Sequence, residues 1–237
     1  MKLKLLSFTF LFFAAAGAAS AQVNELSTWG AWFHTQKFSE HWGIMFDGQF
    51  RSAHHAAYLR NTLLRPSVAY HFSKTKNVSL GYAFIATNGR NAQNEHTYRP
   101  EHRIFEQFIV NHKAGTNTNI MHRFRLEQRF QGKTTTQPDV FSQRFRYFVR
   151  GVIPVNNNQP VFTKGTFVAL QNEAFANVQN KQQINKHVFD QNRAYAAFGY
   201  RLSKLMDIEA GYLNQYIKQV ETYTINHVAQ VAVYTRF

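Results

Sequence analysis

From Leu26 onward the chain is built of segments about ten residues long in which apolar and polar side chains alternate, separated by clusters of Gly, Asn, Ser, Thr and Lys. A period of two is the mark of a strand whose two faces meet different surroundings. The clearest segment is Ile120–Phe130, IMHRFRLEQRF. One face carries Ile120, His122, Phe124, Leu126, Gln128 and Phe130, and the other Met121, Arg123, Arg125, Glu127 and Arg129. A helix would scatter those charges around its cylinder, whereas a strand gathers them. Ser142–Val152 has the same design, with Arg144, Arg146 and Arg150 on one face and Phe145, Tyr147 and Val149 on the other. Both segments fit R-F-R-x-x-x-R, whose spacings of two and four keep the arginines together.

A repeat strengthens this reading. YHFSKTKNVSLGY at 70–82 and YRLSKLMDIEAGY at 200–212 align at one offset, matching Tyr70/Tyr200, Ser73/Ser203, Lys74/Lys204, Gly81/Gly211 and Tyr82/Tyr212. Each reads as a strand, a tight turn opening on Ser-Lys, and a second strand with an aromatic near its middle. Further strands are expected at Leu26–Gln36, Trp42–Arg51, Asn61–Phe72, Val78–Thr87, Arg103–Asn111, Phe167–Ala176, Asn192–Leu202, Met206–Tyr216 and Thr224–Phe237. With the two arginine segments, that makes eleven candidates. Short connections (37–41, 73–77, 112–117, 203–205) mostly alternate with longer ones (52–60, 88–102, 131–140, 177–191, 217–223), and 153–166 breaks the pattern.

Residues 1–21, MKLKLLSFTFLFFAAAGAASA, have the layout of a secretory leader: Lys2 and Lys4, a short apolar core, and an Ala19-Ser20-Ala21 cleavage site. The mature chain is then a single domain, 22–237. The formal charge of +14 would suggest a nucleic-acid partner in a cytoplasmic protein, but an exported chain does not normally meet one. Cysteine is absent, which excludes thiolate metal sites, disulfides and a lipoprotein anchor.

Strands of about ten residues exceed the five or six usual in globular sheets and fit a membrane crossing. Tyr70, Tyr82, Tyr200 and Tyr212 are the type of residue found in interfacial girdles near strand ends. The chain ends HVAQVAVYTRF, an alternating strand closed by Phe237. The expected fold is therefore all-β: an antiparallel up-and-down transmembrane barrel in the outer membrane of a Gram-negative bacterium. Short periplasmic turns and longer extracellular loops are expected, with both termini on the periplasmic side. Because single-chain bacterial barrels have an even count, ten or twelve strands are expected, with Leu26–Gln36 partial or inserted in the ten-strand version.

In such a barrel the arginines must avoid lipid, since a cation there costs ~2–4 kcal/mol near the midplane. The expected lumen-lining charge network is Arg65, Arg123, Arg125, Glu127, Arg129, Arg144, Arg146, Arg150, Glu173, Arg193, Arg201, Asp207 and Glu209. The planar fork of arginine suits it to carboxylate pairing. Asn172-Glu173 and Asp190-Gln191-Asn192-Arg193 read as lumen hydrogen bonding at strand ends.

The series Trp29-x-x-Trp32, His122–Phe130, Arg144-Phe145-Arg146-Tyr147, Asn172-Glu173-Ala174-Phe175, Asp190–Arg193 and Gly211–Gln215 resembles the outer-membrane-barrel group catalogued as domain-of-unknown-function family 2490. The resemblance implies location and architecture but no catalytic residue.

The eleven histidines, His54-His55 among them, form no H-x-x-x-H or compact His/Asp cluster, so no metal or cofactor is expected. Ser142 and His122 lie on adjacent strands but on opposite faces, and no G-x-S-x-G is present. The leading expectation is a non-enzymatic barrel, either structural or a narrow anion-preferring pore. A lipid-modifying enzyme and a surface binding module using loops 88–102 and 177–191 are the alternatives. Expected partners are outer-membrane lipids, lipopolysaccharide and the barrel-assembly machinery, met through the strand ending at Phe237.

Overall fold

All eleven alternating segments are strands. The computed structural model describes residues 22–91, 93–115, 117–134, 138–155 and 161–237, and the expected leader lies outside them. The strands are β1 (Gln22–Lys37), β2 (Trp42–Ala53), β3 (Tyr58–His71), β4 (Lys76–Arg90), β5 (His96–Ala114), β6 (Thr118–Gln131), β7 (Val140–Pro154), β8 (Gly165–Gln179), β9 (Phe189–Ser203), β10 (Met206–Lys218) and β11 (Tyr223–Arg236). Each pairs with its sequence neighbours, and β1 meets β11 to close a barrel.

The even count is corrected by this closure. Hairpin-linked neighbours run antiparallel, so in an odd-stranded barrel the first and last strands run the same way. The β1–β11 seam is accordingly parallel, in continuous register from Gln22↔Tyr223 to Thr35↔Arg236. β1 is a full strand that also pairs antiparallel with β2, from Trp29↔Arg51 to Lys37↔Gly43. The same geometry sends Gln22 and Phe237, the first and last described residues, to opposite ends of the barrel.

The loops are also shorter than expected, because backbone pairing continues past the point where apolar alternation stops. The expected loop 88–102 shrinks to 91–95, since β4 runs on to Arg90 and β5 begins at His96. Asn91 Oδ1 holds that turn by accepting the backbone N–H groups of Gln93 and Glu95. Loop 52–60 shrinks to four residues, with His54, His55 and Ala56 in the left-handed region at φ 48°, 58° and 67°. Connections at one end are four, five, eight, nine and four residues long, and at the other four, four, three, ten and two. The contrast between ends is therefore weak.

The sequence repeat is a structural one. Ser73 and Ser203 each accept the backbone N–H two residues on, at 3.2 and 3.1 Å, and so nucleate matching turns. Tyr82 and Tyr212 occupy the same place in their strands, seven residues in and near mid-strand rather than at a strand end. Each is hydrogen bonded to a histidine on the next strand, Tyr82 to His102 at 2.5 Å and Tyr212 to His227 at 2.6 Å. In both cases the histidine stands two residues before the tyrosine's register partner. Tyr147 and His122 repeat that diagonal at 2.8 Å.

The two faces of the wall differ in chemistry. Leu64, Val68, Leu80, Ile104, Phe124 and Phe198 are exposed on one, Phe198 to 74 %. The other is buried and carries most of the charge. There, small residues make room for large ones: Phe105 lies across its register partner Gly81, where an added Cβ would sit 2.2 Å from the ring, and Phe167 covers Gly199 in the same way.

Candidate functional site

Parity places the charges. On β6, Arg123, Arg125, Glu127 and Arg129 share the buried face, opposite Arg144 and Arg146 of β7. In a barrel closed from a single sheet, the buried face is the inward one. Glu127, 0 % exposed, is the hub. Its carboxylate accepts hydrogen bonds from Arg144 at 2.8 and 3.1 Å, Arg146 at 2.5 Å and Arg103 at 3.2 Å. Arg125 stands 3.8 Å away. Arg125 and Arg146 face one another across the β6–β7 ladder, and the shared carboxylate offsets that like-charge contact.

Around the hub lie further pairs. Glu173 accepts from Arg146 at 2.6 Å and Arg123 at 2.8 Å, with Arg193 at 3.8 Å. Glu101 takes Arg103 at 2.9 Å and Arg129 at 2.6 Å. Asp190 takes the free arm of Arg144 at 2.7 Å, and Asp47 pairs with Arg65 at 2.8 Å. Other pairs lie apart from this network: Arg150 with Glu209 at 2.5 Å, and Asp207 with Arg201 at 2.7 Å and with Arg236. Guanidinium planes also stack on rings, Arg125 over Phe105 at 4.2 Å, Arg146 over Phe175 at 4.6 Å and Arg51 over Trp29 at 3.9 Å. Stacking gives a desolvated cation a second attraction besides its carboxylate.

All thirteen residues expected in the charge network belong to ion pairs, and eight of them join in the group around Glu127 and Glu173 or its immediate partners. Glu173 sits at the middle of β8 rather than at a strand end. Sequence reasoning missed Asp47, Arg51, Glu101, Arg103 and Arg236. Asp47, Gln49 and Arg51 alternate on one face of β2, so parity could have found them. Glu101 was hidden because the expected loop reached residue 102, whereas Arg103 opened an expected strand and shares the inward parity of Phe105 and Gln107.

Arg51, Gln49 and the Arg65–Asp47 pair adjoin the network through the Trp29 ring that Arg51 shares with Arg193, and with them nine arginines (51, 65, 103, 123, 125, 129, 144, 146 and 193) meet five carboxylates (47, 101, 127, 173 and 190), leaving four positive charges in excess. Arg51 donates to Gln49 at 2.5 and 3.0 Å rather than to a carboxylate.

A family profile described as protein of unknown function, DUF2490, matches residues 26–226. The chain belongs to the DUF2490 family. No curated protein and no solved structure matches it.

The outer face of this DUF2490 chain bears on its chemistry too. Polar groups there are bonded to each other: besides the three Tyr–His pairs, Asn172 and Asn192 exchange amide hydrogen bonds at 2.9 and 3.1 Å, and Gln128 donates to Glu106 at 3.1 Å. Ser142 is fully buried on the inward face, whereas His122 lies on the outer face against Tyr147, so the two do not meet. Among the described residues no group of three His, Asp or Glu side chains could hold a metal ion.

Proposed function

We propose that the chain is an integral outer-membrane β-barrel, exported with cleavage after Ala21, that performs no enzymatic chemistry and whose arginine-rich lumen is a narrow passage preferring anions. The carrying observation is the inward-facing excess of nine arginines over five carboxylates. Fixed positive charge between low-dielectric walls raises the local concentration of anions and repels cations. The ion pairs that cross-link neighbouring strands also brace the wall and narrow the passage.

Membrane insertion is supported by the outer wall. Large apolar side chains are exposed on strand after strand, Leu64 and Val68 on β3, Leu80 on β4 and Phe198 on β9 among them. Many polar groups between them pair with one another, Tyr82 with His102, Tyr212 with His227, Tyr147 with His122 and Asn172 with Asn192, as suits groups without access to water. Lipids and lipopolysaccharide are the partners of that wall. The assembly machinery would engage the final strand, whose Phe237 lies 62 % exposed beside the β1–β11 seam and exchanges backbone hydrogen bonds with Thr35 and Lys37. The opposite-face placement of Ser142 and His122 counts against the lipid-modifying alternative.

Expressed in a Gram-negative host, the protein is expected in the outer-membrane fraction with Gln22 as its first residue. Its gel mobility should differ before and after boiling, and no acyl chain should be released from phospholipid or lipopolysaccharide. Recovery from the soluble periplasm with one mobility, or acyl release, contradicts the proposal.

A further inference from the structure

The excess charge is not spread evenly. Arg65 and Arg125 are 3 % and 4 % exposed, yet Arg65 Nε and Arg125 Nη1 have no hydrogen-bond partner. Arg123 Nε and Arg193 Nε are likewise buried and unpartnered. Three of them lie together: Arg123 and Arg125 alternate on the inward face of β6, and Arg193 reaches the same place from β9. Arg123 and Arg193 reach the same carboxylate, Glu173. Arg125 faces Arg146 across the β6–β7 ladder, and Arg146 also binds Glu173. A buried cation with an unused donor is costly, and several together repel one another.

The remaining contacts of these arginines hold them in place. Arg125 is fixed by two bonds to Gln107 Oε1, at 2.6 and 3.0 Å, and by Phe105 beneath it. Arg193 is wedged between Trp29 and Phe175, 5.3 and 4.8 Å from their ring centres, and Arg123 lies over Phe148 at 4.5 Å. The guanidinium groups of Arg123, Arg125 and Arg193 are thus preorganised by flat aromatic supports while a nitrogen of each has no hydrogen-bond partner. That is the arrangement a tetrahedral oxyanion needs, since each of its oxygens accepts hydrogen bonds from several donors.

We infer that the interior contains a binding site for a small multivalent oxyanion of the phosphate type, gripped by Arg123, Arg125 and Arg193. The site rests on the reading of the interior as anion-preferring, and deepens it by naming the anion's class. A closed wall admits ligand only through the barrel ends, so the ligand is a water-soluble phosphate or phosphomonoester and not the headgroup of a membrane lipid.

The test is titration of inorganic phosphate into the full mature chain folded in detergent, at constant ionic strength in chloride. One saturable site is expected. Arg125→Gln and Arg193→Gln should each weaken it about tenfold, the loss of one hydrogen bond to a charged group. Both variants should keep the gel shift on boiling, because Glu127 and Glu173 each retain other arginines. Arg125→Lys, which keeps the charge but not the fork, should fall between wild type and Arg125→Gln. Absence of saturable binding, or unchanged affinity in both glutamine variants, overturns the site. If phosphate binding is absent while bilayer current still prefers anions, the site fails and the proposed function stands. Phosphate binding together with cation-preferring current defeats the proposed function and leaves the site.

Discussion

Glu127→Gln is expected to cost about 3–5 kcal/mol of folding stability, the penalty for removing one partner from a buried ion-pair cluster. The substitution keeps volume and shape and removes only the charge. It leaves Arg103, Arg125, Arg144 and Arg146 around an amide whose NH2 group points donors at donors. Arg125 and Arg146, opposed across the ladder, then repel without a shared counter-charge. The comparison is Arg51→Gln, which removes a buried cation that bonds to Gln49 and not to a carboxylate. That variant is expected to be neutral or stabilising, because it lowers the charge excess and deprives no carboxylate of a partner. Denaturant midpoints of the detergent-folded barrel, followed by the gel shift, measure both. Equal midpoints for Glu127→Gln and wild type would remove the hub role.

The second large effect concerns the seam. Deleting Gln22–Lys37 is expected to abolish the folded, heat-modifiable form. β1 contributes Trp29 to the core cluster with Phe167, Tyr195, Leu213 and Val228, and the same ring carries Arg51 and Arg193. Glu25 of β1 also pairs with Arg60 at 2.5 Å. Without β1, both β2 and β11 become open edges whose backbone groups lack partners, at greatest cost in the lipid setting proposed above. An antiparallel β2–β11 closure could restore a ten-stranded barrel only by abandoning these contacts. A truncated chain that still shifts on boiling would show that ten strands suffice and that β1 is an accessory.

The deletion bears on what could be read from the chain. Alternation located every strand because each crosses between two environments, and the charges of β6 and β7 fell on the inward face by parity alone. Alternation is a local signal, however, and the meeting of β1 with β11 is not local. Nothing in LSTWGAWFHTQ says that its partner lies some two hundred residues away and runs parallel. The even-count rule filled that gap wrongly. Glu101 was missed for a different reason: His96–Glu101 continues a hydrogen-bonded ladder whose side chains no longer alternate in polarity. The Tyr–His diagonals were visible only as half a pattern. The repeat gave Tyr82 and Tyr212, but the register that selects His102 and His227 comes from pairing.

The fixed excess of positive charge in this interior is proposed to select the ions allowed in. Reversal potential across a planar bilayer holding the purified barrel, with a potassium chloride gradient between the two sides, reads that charge directly. A reversal potential of the sign set by chloride is expected of an anion-preferring interior. A potential set by potassium, or a folded and inserted barrel that passes no current, would contradict it.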